Sequence, residues 1–514
     1  MLLSLRLSWH FLLGALLRSG LAAAQLRQPA ALAAPLPAAA LRQDFELFQR
    51  VYEAANPSIY RYRTHQQLDS AFAATRRQLT DTTTLLGFYR LLYRITAYTG
   101  SLHSDNYLPP AADSVVRAGA GFFPYPVQLL AGKLRLNTDA APLPLGSELV
   151  QINGHSAAEL LAQLGVYATT DGYNQTGKAY LVSTHFARYY YLAYGPCAAF
   201  RLTYCLPYQG DTAQLAVPST HFATYAQRYQ LRHSAVLEAE SPAYSLRLID
   251  SVHAAVLTVN TFDLGSAGQA SQLQYARFLD STFQLLRATP AVRQLLVDVR
   301  KNSGGDDPND LLLFSYLARH RYRENRRAFT VFRRVPYSAY FVEDSLGDRA
   351  ALEQAMLAEH GPARRGRYWL RKREHPYWHP NALAFRGPVY LLVSPAVASA
   401  GSLFASLVRS QRGPVVVGQE TMGGYYGHTG HTPVEYELPL TKIRVKFSII
   451  DLDQDVRRSP RFPRGRGIIP DYPVTQSLAD FIRNEDAVLQ KALQLARARD
   501  KTLSPSYLLP SPRR

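Results

Sequence analysis

The sequence predicts an α/β fold, and three observations carry the prediction. From about His253 onward, short apolar strands alternate with helix-length segments, the pattern of a layered sheet covered by helices. Between Arg42 and Thr99, apolar residues recur at spacings of three and four: Phe45, Phe48 and Val51, then Leu68, Phe72 and Leu79, then Leu86, Tyr89, Leu92 and Ile95. That is the period of amphipathic helices. Between these regions, from about Phe122 to Tyr208, the chain breaks into short strands and turns.

Composition narrows the class further. At 514 residues the chain is long enough for two to four domains by the rule of roughly 150 residues each, and 47% hydrophobic against 19% charged residues is a globular balance. Two cysteines exclude a disulfide scaffold and a multi-cysteine zinc module. The excess of 57 Lys+Arg over 39 Asp+Glu gives +18. Arginines are scattered, however, with short clusters only at Arg364-Arg365-Gly366-Arg367 and Arg457-Arg458, and no nucleic-acid-binding signature accompanies them. A generally basic surface is the expectation, with no nucleic-acid partner.

The first residues have the layout of an export signal. Arg6 supplies a positive start, Trp9 to Leu17 are largely apolar, and Leu21-Ala22-Ala23-Ala24-Gln25 offers small residues at a cleavage point. Residues 1–24 are therefore expected to be a signal peptide, and the protein to be exported, periplasmic or extracellular. Arg18 interrupts the apolar run before the ~20 residues a membrane span needs. No later segment is long enough either, so no span is expected after signal removal. In an oxidising compartment Cys197 and Cys205 are able to pair, and two unpaired buried thiols are an equal alternative.

Residues 25–110 are expected to form a linker, rich in Ala and Pro up to residue 40, followed by the helical region. In residues 111–235, Leu145-Gly146-Ser147-Glu148-Leu149-Val150-Gln151-Ile152-Asn153-Gly154 reads as a short strand ending in an Asn-Gly turn, and Ser156 caps a following helix through Leu160, Leu161 and Leu164. This succession resembles part of a PDZ-type domain. Gly119-Ala120-Gly121-Phe122-Phe123 is either a backbone carboxylate cradle of that kind or a plain apolar turn. In residues 236–500, strands at 253–260, 294–299, 389–393 and 415–418 alternate with helices at 270–286, 310–317 and 400–408. Residues 321–384, basic and aromatic, read as an insertion over the core, and 501–514 as a tail.

Functional groups of such a fold sit where strands end and helices begin, and three strand ends stand out. In Asp298-Val299-Arg300-Lys301-Asn302-Ser303-Gly304-Gly305 the paired glycines let backbone N–H groups turn toward a common point. In Ser394-Pro395-Ala396-Val397-Ala398-Ser399-Ala400-Gly401-Ser402 a serine opens an apolar helix, where free N–H groups can hold a developing oxyanion. N-capping is the ordinary alternative for Ser399. The third stretch is Val417-Gly418-Gln419-Glu420-Thr421-Met422-Gly423-Gly424, followed by Gly467-Ile468-Ile469-Pro470-Asp471.

Taken in order, "DVRKNSGG", "SPAVASAGSLFA", "VVGQETMGG" and "GIIPD" resemble the tail-specific, or C-terminal processing, family of serine peptidases, over about residues 250–475. The resemblance implies a peptidase core of the crotonase-like or ClpP-like kind. It makes Ser399 the nucleophile, with Gly304, Gly305 and Ala400 N–H groups as oxyanion donors. Many members use a lysine base that here is replaced by Gly424. A second, tricorn-like branch uses an upstream histidine, and "SLHS", with His103, resembles its motif. An imidazole with an ordinary pKa near 6.5 takes a serine proton at neutral pH, whereas an unperturbed lysine, near 10.4, does not.

His428 and His431, in Gly427-His428-Thr429-Gly430-His431, are rival bases, and a zinc pair at that spacing is the weaker idea because no third ligand is linked to it. No metal or cofactor is expected. Asp451, Asp453 and Asp455 are candidates for an orienting carboxylate if their segment folds back, with a solvated acidic turn as the alternative. The function expected is an exported serine endopeptidase that cleaves extended polypeptides through an acyl-enzyme, its substrate engaged by its C-terminus at the PDZ-like module. The alternative is a catalytically silent member binding peptides or apolar ligands, since the resemblance reaches interphotoreceptor retinoid-binding modules.

Overall fold

The computed structural model describes residues 26, 29–233, 241–343 and 348–503. The expected signal peptide and residues 504–514 of the expected tail lie outside the described residues. Three layers of organisation follow the sequence pattern. The central sheet orders strands Tyr244–Ile249, Ala254–Val259, Gln294–Asp298, Val389–Val393, Val415–Gly418 and Tyr472–Pro473. The first pair is antiparallel and the rest run parallel. Its four inner strands are almost wholly apolar on both faces because both are covered, whereas the edge strands Tyr244–Ile249 and Tyr472–Pro473 are half-buried to exposed. Helices Ala270–Ala288, Asn309–Ser315 and Ser399–Ser410 pack on one side with Leu257, Val297, Leu391 and Phe404. The closing helix Ala487–Leu503 covers the other, where Ala492 and Ala496 meet Leu296 and Leu392. No described helix is long and apolar enough to cross a membrane.

The N-terminal region is helical as its periodicity predicts, with helices Ala38–Ala55, His65–Arg76 and Leu85–Thr99. Thr84 caps the last by accepting from Gly87 N, and Gly100, at φ 76°, ends it. The linker reading is corrected here. Ala30–Ala33 is a helical turn and Leu32 is fully buried in the core, so this Ala/Pro stretch packs rather than spaces.

The middle region forms the sheet Val127–Leu130, Lys133–Leu136, Glu148–Ile152, Ala199–Cys205 and Thr212–Pro218, with Asn153-Gly154 at the turn and a Ser156/Glu159 capping box opening Ala157–Leu164. Gly119–Phe123 serves as apolar packing rather than an open cradle: Phe122 and Phe123 are fully buried, and a Cβ on Gly121 would stand 2.4 Å from Pro196. Cys197 and Cys205 are buried free thiols.

Residues 321–384 also differ from the expectation of an insertion laid over the core. Strands Asn325–Thr330, His360–Arg364 and Arg367–Leu370 join a second sheet with Thr429–Glu437, Arg444–Gln454 and the N-terminal strand Asp105–Tyr107. Alternation is hidden there by arginines whose charges are met across the sheet, as Arg327 meets Asp453 at 2.9 Å. The second sheet, the N-terminal helices and the middle region share one continuous apolar core.

Arg300 anchors the closing helix to the central sheet. Its guanidinium, 5% exposed, donates to both oxygens of Asp298 and to both of Asp486, the residue before that helix. Removing one member of such a buried pair strands the others, at a cost of about 3–5 kcal/mol. Arg300→Met is expected to lower the unfolding free energy by about 3 kcal/mol in a urea titration; a loss below about 1 kcal/mol, the scale of exposed pairs, would show that the cluster is solvated.

Candidate active site

Two parallel neighbours in the central sheet end side by side, and their loops build one wall of the site. Asn302, fully buried, knits them: its side-chain oxygen accepts from Gly304 N at 2.9 Å, its amide donates to Val259 O at 3.2 Å, and its carbonyl accepts from Ala398 N at 3.3 Å. The approach is close enough to require glycine. A Cβ on Gly304 would lie 2.6 Å from Ser399 Cβ, and one on Gly305 would lie 1.9 Å from Asp263 N.

Ser399 is the first residue of its helix and takes φ 48°, a left-handed conformation rare for a residue with a side chain. Ala398 occupies the N-cap position, and Ser399 Oγ caps nothing. Instead that hydroxyl lies 3.1 Å from His103 Nε2, across 296 residues of sequence. Strain held at such a point is a mark of functional sites.

His103 arrives on the loop between helix Leu85–Thr99 and strand Asp105–Tyr107, which pairs with the strand carrying Lys446. Gly100 and Gly172 touch there, Gly172 N donating to Gly100 O at 2.9 Å. This contact delivers Asp171, which sequence reasoning missed. Its carboxylate, 1% exposed, accepts from Leu102 N at 3.1 Å and from Gly424 N at 2.9 Å. It thereby ties the His103 loop to Gly424, the position that the resemblance assigns to a lysine in many members of that family. A Cβ on Gly424 would stand 3.0 Å from Gly427 O, so that slot is filled by backbone. No motif marked Asp171; its only sequence signal was a polar residue beside a glycine.

Burial and neighbouring charge lower the His103 pKa to about 4: desolvation is the largest cause, the positive sides of His431 and Lys446 add to it, and the Thr429 backbone offsets part. Nδ1 of His103 is buried without a hydrogen-bond partner. The His428 ring stacks on it at 4.8 Å between centroids and is itself held well below the ordinary range, chiefly by burial. His431 lies further along the same cleft, 3.1 Å from Asp307. The histidine pair 428/431 therefore splits between two environments.

The cleft has a volume of about 600 Å³, and His103, Ser399, Gly305, Ala400, His428 and His431 line it. Of the three expected oxyanion donors, Gly304 is corrected: its N–H is already engaged by the Asn302 side chain. Gly305 and Ala400 N–H groups have no acceptor among the described residues, Ala400 as an orphan donor of a helix start. None of the three expected acids reaches His103. Asp451 accepts from Ser58 and Arg61, Asp453 from Arg327 and Arg458, and Asp455 from Arg323. The solvated turn is corrected as well, since Asp451 and Asp453 sit within strand Arg444–Gln454. Glu420 holds Arg466 and Gly467 N, and Asp471 holds Arg409 and Val416 N.

Residues 253–474 match the model of peptidase family S41, the stretch that carries the four motifs. Comparison with curated protein sequences gives no match. Among solved structures, mature CPAF is similar at TM-score 0.58 and 13% identity, covering 90% of this chain and 97% of that one. Mature CPAF complexed with lactacystin gives TM-score 0.60 at 12% identity, with 90% and 98% covered. The photosystem II D1 C-terminal processing protease gives TM-score 0.38 at 13% identity, with 87% and 98% covered.

Burial, against the Leu102 and Gly424 N–H groups, pushes the Asp171 pKa up to about 7. A carboxyl whose folded pKa exceeds its unfolded value, ~3.9, binds its proton more tightly when folded. Its stabilising contribution is complete below about pH 4 and is lost as pH rises through 7. The unfolding free energy of wild type minus that of Asp171→Asn is therefore expected to fall steadily between those values; a flat difference would show that Asp171 is ionised throughout.

Proposed function

We propose, from the match of residues 253–474 to the model of peptidase family S41, that the protein is a serine peptidase working through Ser399 and His103. The observation that carries this reading is the 3.1 Å contact between His103 Nε2 and Ser399 Oγ at a helix start, beside two N–H groups without acceptors among the described residues. His103, neutral above about pH 4, takes the hydroxyl proton as Ser399 attacks a peptide carbonyl. Gly305 and Ala400 N–H groups hold the oxyanion. His103 returns the proton to the leaving amine, and water then hydrolyses the acyl-enzyme by the same route in reverse. The lactacystin complex of CPAF, a protein of similar fold, is in keeping with a reactive serine here.

The substrate is an extended polypeptide. Strand Val127–Leu130 stands at the edge of its sheet beside helix Gln175–Thr184, a groove suited to a chain terminus that adds as a strand. The protein works after export. A catalytically silent, ligand-binding role is the second reading, favoured by the buried His103 Nδ1 that lacks the carboxylate which orients the histidine of a complete triad.

A fluorophosphonate probe on the full chain separates these readings. Wild type is expected to be labelled and to cleave an unstructured polypeptide, Ser399→Ala to do neither, and His103→Ala to label roughly 10²–10⁴ times more slowly, the usual worth of a general base. Labelling that survives Ser399→Ala ends the nucleophile assignment. Loss in His428→Ala with retention in His103→Ala moves the base, and an unlabelled, folded wild type supports the silent reading. The acid limb of the pH profile of kcat/KM is expected near pH 4, because protonation at Nε2 removes the base; a limb near 6.5 would mean that His103 is solvated when it acts.

A further inference from the structure

One wall of the cleft carries acids for which the mechanism above has no use. The loop after Gly305 continues through Asp306 and Asp307, and facing it strand Thr429–Glu437 bulges, its pairing slipping between Gly430 and Pro433. The bulge turns His431 inward. Its Nδ1 lies 3.1 Å from Asp307 Oδ2 and its Nε2 3.8 Å from Glu324 Oε1, and the ligand atoms of the three residues all lie within 4.8 Å of one another.

Beneath them Asp310 is completely buried, and neither of its carboxylate oxygens has a hydrogen-bond partner. Its electrostatic neighbours are Glu324, Asp307 and His431. Glu324 Oε1 is likewise buried without a hydrogen bond. Among the described residues, no Lys or Arg stands within ion-pairing distance of Asp307, Asp310 or Glu324; His431 alone does. Three carboxyls gathered around one imidazole, two of them largely out of water, carry more potential negative charge than a protonated His431 can offset alone, a costly arrangement. The Asp307 and His431 side chains remain 46% and 34% exposed to the cleft, which leaves an entry path.

We propose that Asp307, Glu324 and His431 form a binding site for a divalent cation of the zinc class, with the Asp310 carboxylate behind them as a fourth ligand or a second-rank acceptor. One imidazole nitrogen with carboxylate oxygens is a donor set of the borderline cations, which bind at about 2.0–2.2 Å. Ligand atoms within 4.8 Å of one another converge to that radius with small side-chain rotations. The occupied site links the loop bearing Gly305 to the bulged strand and so stiffens the oxyanion side of the cleft. It supplies no step of the reaction. Without the ion the same carboxyls hold a proton on His431, whose pKa they lift to about 10 against the effect of burial.

The test is a calorimetric titration of metal-free full chain with Zn²⁺, beside the thermal midpoint of each protein. Wild type is expected to bind one equivalent and to melt higher with it. His431→Gln and Asp307→Asn are each expected to weaken binding by more than ~100-fold, the upper end of what loss of an outer-shell partner does. Their metal-free midpoints report folding; if either fails to fold, Glu324→Gln carries the comparison. No binding by wild type at micromolar Zn²⁺, or binding untouched by His431→Gln and Asp307→Asn, overturns the site. Binding lost instead in His428→Gln places the ion on the stacked imidazoles and overturns it equally. The proposal does not rest on peptidase activity, since fluorophosphonate labelling is read separately.

Discussion

The arrangement of the cleft depends on one fully buried amide. Asn302 spends its side-chain oxygen, its side-chain nitrogen and its carbonyl on three different segments: its own glycine loop, the end of strand Ala254–Val259 and the start of the Ser399 helix. A hydrophobic residue of the same size fills the space and keeps the carbonyl contact, but leaves Gly304 N and Val259 O without their side-chain partner in a region closed to water, each a loss of about 1–3 kcal/mol. The same contact dictates why glycine follows. With the loops this near, Gly304 and Gly401 have no room for a Cβ, the latter because it would meet Asn302 O at 2.4 Å. Polar satisfaction and steric exclusion thus fix one geometry between them, and Ser399 is held in a conformation that it would not adopt alone.

A second constraint joins the front of the chain to this core. Asp171 accepts one N–H from each side of the cleft, and its burial leaves its charge poorly solvated. The N-terminal strand Asp105–Tyr107 pairs with the second sheet, which also carries His428 and His431. The imidazoles of the cleft therefore share a platform that is rigid at its edges, and they respond to it differently. Apolar surroundings hold His103 and His428 neutral, whereas His431, among carboxyls, is drawn the other way.

What the sequence made legible followed from local pattern. The core strands and helices were readable because an apolar run of five residues beside a helix of period 3.6 has few other solutions. Ser399, His103, Gly305 and Ala400 were named from short motifs, and the structure gathers them in one cleft. Three kinds of feature were not legible. Strand 325–330 carries arginines whose counter-charge, Asp453, lies more than 120 residues away, and Arg367 in strand 367–370 covers the Phe329 ring across the sheet, so their amphipathic pattern looks like a basic loop. Gly304 looked like a free donor because nothing local shows that Asn302, two residues earlier, turns back to accept its N–H. Asp171, Asp307, Asp310 and Glu324 were silent since each acquires meaning only from a partner in another segment.

The span between His103 and Ser399 has a consequence for biosynthesis. While the polypeptide is still being made, the imidazole emerges almost three hundred residues ahead of the hydroxyl, and the strands that cradle the latter, Gln294–Asp298 and Val389–Val393, also follow the imidazole by nearly two hundred residues or more. A chain halted anywhere between His103 and the Ser399 helix holds the imidazole without the hydroxyl it meets in the finished fold. Under the proposed mechanism, hydrolytic competence therefore requires that the front and the late part of the translation product have docked, so that the pair separated by 296 residues is in contact.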